Sequence, residues 1–351
     1  MIGRIAILGG SSVYIPEFVL SLISHNLNFR EIVLIGQPGR KLGIVTEFCQ
    51  RLLDKSGFPA TVHGTTDVAE GVSGAKYVLN HVRVGGMQAR LRDEKLPVKF
   101  EMVGDESLGA GGFANALRTL PVVLEHARII QECNPNAVLI NLTNPIGVVI
   151  EALVKYTKLT VVGVCDLPGK YIKMIAGVLH TDVDEMWGDY IGLNHMGWIQ
   201  DVKVHGRSCM SQLLEKLERH RDEGFDHELI ELFRMIPTRQ VGLYFHRQDI
   251  LKQQQKCARF RAEVLQEAEK RILELYENKS LCEIPELTRE RNAVWYEETI
   301  SPLIAALESP KERDVILCVR NGGSIRDLPE DCSVEIPVRV SRRGLKPYKA
   351  G

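Results

Sequence analysis

The sequence predicts an α/β protein: a doubly wound parallel sheet in the first half, followed by an α+β half. Three observations carry that expectation. Short β-branched runs alternate with helical patterns up to residue 164. Those runs are continuously apolar, as strands buried on both faces must be. Polar residues gather where several of the runs end, the edge at which open α/β sheets bind ligands.

Taken in order, Arg4–Leu8 (RIAIL) reads as the first strand and stops at Gly9-Gly10-Ser11-Ser12. A helix is expected over Pro16–Ile23, a strand at Glu31–Ile35 and a helix over Gly39–Leu53. Ala75–Val82 and Ala137–Asn141 are further strands, separated by a helix at Ala114–Glu132. The helix Ile146–Tyr156 then leads to the strand Leu159–Val164, which ends at Cys165-Asp166-Leu167-Pro168. Beyond this point the character changes. Asp189–Gly192 and Ile199–Val204 read as strands flanking Asn194-His195, and charged, Leu-periodic helices occupy Met210–Arg221 and Arg259–Tyr276. Late strands at Val315–Val319 and Ser333–Val338 precede a basic tail ending at Gly351. Two units are expected, a dinucleotide-binding one over 1–170 and a substrate-binding one over 171–351.

Composition narrows the function classes. The chain has 351 residues, 44% apolar and 25% charged, as in ordinary globular proteins. Its 44 Lys+Arg against 45 Asp+Glu leave a net charge of −1, which argues against a nucleic-acid partner held by phosphate attraction. Apolar runs such as Ala137–Ile140 fall far short of the roughly 20 residues a membrane span needs. Met1-Ile2-Gly3-Arg4 passes directly into a strand pattern, with no room for a signal peptide, so a cytoplasmic protein is expected. Eight cysteines, with no C-x-x-C pair, read mostly as reduced, buried thiols.

The glycine turn Gly9-Gly10-Ser11-Ser12, set between strand and helix, suits backbone amides that approach a pyrophosphate. Ser11 and Tyr14 replace the second and third glycines of G-x-G-x-x-G, so a plain structural turn stays open. The second strand ends in Gly36-Gln37 without the acid that bonds a ribose hydroxyl, while Arg40 and Lys41 stand close enough to attract a 2′-phosphate. His81 and Arg83, Asn141 and Asn144, and Cys165 and Asp166 all fall at strand ends. A thiolate and a neutral imidazole, Cys165 and His195, are able to hold a first-row divalent ion. On spacing alone, core packing is the readier account of a lone Cys and a lone His.

Five segments together carry a specific resemblance: GGSSVYIPE (Gly9–Glu17), RDEKLPVKFEMVGDESLGAGGF (Arg92–Phe113), NLTNP (Asn141–Pro145), GVCDLP (Gly163–Pro168) and GLNHMGW (Gly192–Trp198). The chain resembles the NAD- and divalent-metal-dependent family-4 glycoside hydrolases, particularly the 6-phospho-glucosidases. The resemblance implies a lactate/malate dehydrogenase-like, Rossmann-like fold, NAD and Mn2+ (or another divalent cation) as cofactors, a phosphorylated glycoside as substrate, and a homo-oligomer. It also implies a redox route to hydrolysis. NAD+ takes hydride from C3, the ketone acidifies the C2 proton, a tyrosine removes it, and the C1 substituent is eliminated; water then adds and the ketone is reduced. Carried over by position, Cys165 and His195 are the metal ligands, and Asp166 is the acid that assists the leaving group. Arg90 and Asn144 contact substrate, and Glu106 tunes the base. The base is expected in the segment that reads Arg291-Asn292-Ala293-Val294-Trp295-Tyr296-Glu297, with Tyr296 as the candidate.

Departures from the family pattern give two other readings a footing. Asn292 and Ala293 replace two glycines, Asp105 replaces a glutamine, and the pattern normally continues past Arg342–Gly351 into further helices, so a shortened C-terminal half is expected. One alternative is a lactate- or malate-dehydrogenase-like oxidoreductase in which Asp166, His195 and Arg83 or Arg90 hold a hydroxy acid. The other is a catalytically impaired cofactor-binding homologue. Arg320 and Asn321, after a late strand, are either phosphate contacts or a strand-end turn.

Overall fold

The computed structural model describes residues 1–221, 224–291 and 293–349; Asn292 and the end of the basic tail at Gly351 lie outside the described residues. Six strands form the parallel part of a large sheet: β1 (Ile2–Leu8), β2 (Phe29–Ile35), β3 (Thr61–Thr65), β4 (Tyr77–Asn80), β5 (Val138–Asn141) and β6 (Thr160–Gly163). Their spatial order, β3-β2-β1-β4-β5-β6, reverses direction between β1 and β4 and opens a crevice at the strands' carboxyl ends. Strand β3 was not expected, because Thr-Val-His-Gly-Thr has one large apolar side chain and lies on the sheet edge.

Side-chain alternation builds a core on each face of this sheet. Ile5, Ile7, Leu34 and Leu79 face Phe18, Phe48, Ile272 and Leu303. Ala6, Leu8, Val33 and Val78 face Val123, Ile130, Val149 and Leu153. The expected helices are present, with Ala114–Glu132 beginning earlier, at Gly109. Among the described residues no helix is long and apolar enough to cross a membrane.

The second half forms a small antiparallel sheet. Strands β7 (Met186–Leu193) and β8 (Met196–Val204) make a hairpin, β9 (Arg207–Ser208) extends it, and β10 (Ile236–Pro237) adds to the far side of β8. The chain then returns. Strands β11 (Arg313–Arg320), β12 (Ser333–Ser341) and β13 (Gly344–Pro347) continue the large sheet beyond β6, all antiparallel, giving nine strands. Residues 313–347 therefore share the first sheet, an arrangement that the expected division at residue 170 does not contain.

Candidate active site

The turn after β1 is shaped by backbone crowding. Gly9 has φ +87°, and a Cβ on it would stand 2.4 Å from the His81 carbonyl oxygen. A Cβ on Gly10 would stand 2.7 Å from the Leu34 Cα. Both amides donate to the Ile35 carbonyl, and Ser12 leads into the helix Ile15–Ser24, with Pro16 in its first turn. The turn thus hugs β2 and β4 and leaves the helix N-terminus facing the crevice.

Next to it lies a charge cluster. Glu106 is paired with Arg83, sits 3.1 Å from Arg90 and accepts from Asn144 Nδ2 at 3.4 Å. Arg90 also reaches Glu94 at 2.7 Å. Burial pushes the Glu106 carboxyl up, but Arg83, Arg90 and Arg291 together hold it down at about 2. Arg291 is sandwiched between the rings of Tyr14 and Trp295, 5.0 and 5.1 Å away, and burial with its two arginine neighbours lowers it to about 10. Asn115 Nδ2 ties the Glu106 and Asn144 carbonyls together, at 2.9 and 3.1 Å, so the two expected site residues are held as a unit.

Cys165 and His195 come from different loops. Cys165 follows β6, and His195 is in the turn of the β7–β8 hairpin, at φ +66°. Asn194, its neighbour, donates from Nδ2 to Glu335 Oε1 of β12 at 2.9 Å. Burial, then Glu335 and Asp166, push the thiol well above its ordinary range. Burial lowers His195 against the carboxylates of Asp105, Asp166 and Glu106, so the ring is neutral and keeps a lone pair. Among the described residues, the buried His195 Nδ1 and Asn144 Oδ1 have no hydrogen-bond partner. A sulfur and a neutral imidazole nitrogen are donors that suit a borderline divalent cation, whose charge would reverse the thiol's preference. Among the described residues no three of His, Cys, Asp and Glu converge as a ready-made cluster, so open positions would fall to substrate or water.

Comparison with known proteins decides the family. The model of family 4 glycosyl hydrolases matches residues 4–181, and that of the family's C-terminal domain matches 190–351. This chain is a family 4 glycosyl hydrolase. It is 33% identical to the probable 6-phospho-beta-glucosidase of Bacillus subtilis (strain 168), over 99% of this chain and 83% of that one. The 6-phospho-beta glucosidase from Thermotoga maritima, solved with manganese, NAD+ and glucose-6-phosphate, superposes with a TM-score of 0.90 at 30% identity, over 99% of this chain and 84% of that one. Lactate dehydrogenase from Eimeria maxima, at TM-score 0.59 and 14% identity over 100% of this chain and 88% of that one, shares the fold alone.

In this family 4 glycosyl hydrolase, other residues of the sequence reading have the following neighbours. Tyr296, the expected base, lies in the core. Its ring is buried against Phe18 and Trp295, its hydroxyl meets His81 Nδ1 at 3.1 Å, and burial raises its pKa. Arg40 and Lys41 pair with Glu277 and Glu269. Asn321 is a turn residue, its buried amide donating to the carbonyls of Ile325, Leu328 and Pro329, while Arg320 leans on the Glu330 carbonyl. Sequence reasoning also missed Glu335. It is buried in β12, bonded to Tyr190 and Asn194, and burial raises it to about 7. An acid inside the apolar run Ser-Val-Glu-Ile-Pro-Val was the available signal.

Proposed function

We propose that this chain hydrolyses 6-phospho-glucosides by oxidation, elimination, addition and reduction at the sugar, using NAD+ and a divalent cation such as Mn2+. The observation that carries the reading is the meeting of two loops. The β7–β8 turn that carries His195 is tied through Asn194 to Glu335 of β12, which lies level through β11 with the end of β6, the strand that leads to Cys165. Gly9, Gly10, Ser11 and Ser12 would hold the dinucleotide, and Cys165 and His195 the cation. When bound, these groups supply a hydride acceptor for the sugar C3 and a Lewis acid for the sugar oxygens.

The protein's own part is positional and electrostatic. Asp166, one residue past the thiol, is assigned to the leaving-group oxygen. Arg90 and Asn144 are assigned to the sugar hydroxyls, and Asn144 Oδ1 has an acceptor to offer. Glu106 stays ionised and offsets part of the charge of Arg83, Arg90 and Arg291. A cytoplasmic location follows from the use of NAD and a phosphorylated sugar. A homo-oligomer is favoured by Phe113 and Leu117, 66% and 61% exposed one turn apart on the helix Gly109–Cys133. Sedimentation as a monomer at micromolar concentration would remove that part.

The test is cleavage of p-nitrophenyl-glucoside 6-phosphate, α- and β-linked, with NAD+, Mn2+ and a reductant. Aglycone release without net NADH is expected. Cys165→Ser and His195→Ala should each lower turnover more than about 100-fold, beyond the usual loss for an outer partner, with unchanged circular dichroism. Net NADH from a hydroxy acid, with no aglycone released, would replace this reading with the dehydrogenase one. Full turnover in either variant would remove the cation assignment.

A further inference from the structure

Glu335 is the odd charge in a buried strand. Alternate residues of β12, Val334, Ile336, Val338 and Val340, enter the core on one face of the sheet. Glu335 points to the other, level with Cys318 of β11 and, through it, with Gly163 at the end of β6. It is 1% exposed, and among the described residues no lysine, arginine or histidine pairs with it. Its partners are Tyr190 Oη at 2.7 Å and Asn194 Nδ2 at 2.9 Å, both from the β7–β8 hairpin. A buried carboxylate without a cation is costly, and here the hydrogen bonds are what it returns.

Asn194 has one NH2 group with two hydrogens. One goes to Glu335 Oε1, and Asn194 stands directly before His195 in the β7–β8 turn. A carboxylate oxygen only accepts, so the amide has one orientation that satisfies this bond. Resting on the assignment of Cys165 and His195 to a divalent cation, we propose that Glu335 is a positioning residue. By accepting from Asn194 it anchors the turn that carries His195 to the large sheet, where β12 lies level through β11 with the end of β6 that leads to Cys165, and so holds the two ligands at a fixed separation for the ion. Its two oxygens are taken by Tyr190 and Asn194, so it acts through Asn194 and not as a ligand. Outer partners that orient ligands in this way are typically worth about 10–100-fold in metal affinity.

The test reads metal binding, not hydrolysis, on the full chain. Mn2+ is titrated by calorimetry, and Co2+ by its thiolate charge-transfer absorption. Glu335→Met removes the acceptors at similar volume and should weaken Mn2+ by about 10–100-fold and bleach the Co2+–thiolate band. Glu335→Gln keeps an acceptor for Asn194 and a donor for Tyr190, and should restore affinity to within about threefold of the wild type. Asn194→Ala should match Glu335→Met, and the double variant should lose no more than either alone. Tyr190→Phe cuts the other bond of Glu335 and should lower Tm while leaving Mn2+ affinity unchanged.

Wild-type affinity in Glu335→Met or Asn194→Ala overturns the proposal, as do additive losses, an equal loss in Glu335→Gln, or an equal loss in Tyr190→Phe. If Glu335→Met does not fold, Asn194→Ala and Glu335→Gln decide. Cys165→Ser separates the two failures. Loss of Mn2+ there but not at residue 335 sinks positioning alone. Undiminished Mn2+ binding there, or none in the wild type, sinks the ligand assignment and this proposal with it. A chain that binds Mn2+ as described but cleaves no glycoside leaves the proposal standing and removes only the activity.

Discussion

At Glu106, burial and charge pull in opposite directions, and charge wins because three guanidinium groups surround one carboxylate. The folded pKa lies near 2, below the ordinary 4.5, so ionised Glu106 stabilises the fold fully above pH 4.5. That contribution is lost as pH falls from 4.5 toward 2. Glu106→Gln should be less stable than the wild type at neutral pH, with the gap narrowing through that window in urea titrations. A gap independent of pH would remove the carboxylate's role. Tyr296 is the contrasting case. Tyr296→Phe leaves His81 Nδ1 without its hydrogen bond and should cost about 1–3 kcal/mol of stability. Exchange of the substrate's C2 proton with deuterated solvent should persist in that variant; its disappearance would return the base to Tyr296.

At the scale of elements, the strand ends were readable and their distances were not. Continuous apolar runs such as Ile-Ala-Ile-Leu and Val-Leu-Ile-Asn announce parallel strands, and whatever polar residue follows each run must emerge at the carboxyl edge. For that reason His81, Asn144 and Cys165 could be grouped before any coordinates. Strand β3 escaped because polar edge strands lack the pattern, and the helix Leu167–Leu179 escaped because it begins inside the motif itself. The glycine turn behaves as a packed joint. In Gly10→Ala the new methyl meets the Leu34 backbone at 2.7 Å, where nothing flexible can yield. Overpacking of this kind costs typically about 1–3 kcal/mol. The variant should melt lower and bind NAD+ more weakly, by thermal shift and fluorescence titration; wild-type values in both would show that the turn has slack.

Across the whole molecule, the two halves share a core and a sheet. One core contains Ile5 and Phe18 from the start of the chain and Leu303, Ile336 and Val340 from its later part. Strand β6 is flanked by β5 on one side and by β11 on the other. A fragment ending at residue 170 would expose the β6 edge and the core surface that later residues cover, so it should lack near-ultraviolet circular dichroism and bind hydrophobic dyes. The full chain should unfold in a single denaturant transition; a folded fragment would make the first half autonomous.

The sequence by itself determined the parallel sheet, the glycine turn and the family, because these rest on local pattern and on short motifs whose residues are neighbours in the chain. Only the tertiary structure decided which side chains meet. Arg83, Arg90 and Arg291 converge on one carboxylate, Tyr296 is sealed in the core, and Glu335 reaches back to Asn194. Each depends on pairings between residues far apart in the chain and on how deeply each group is buried, and neither quantity is written in local order.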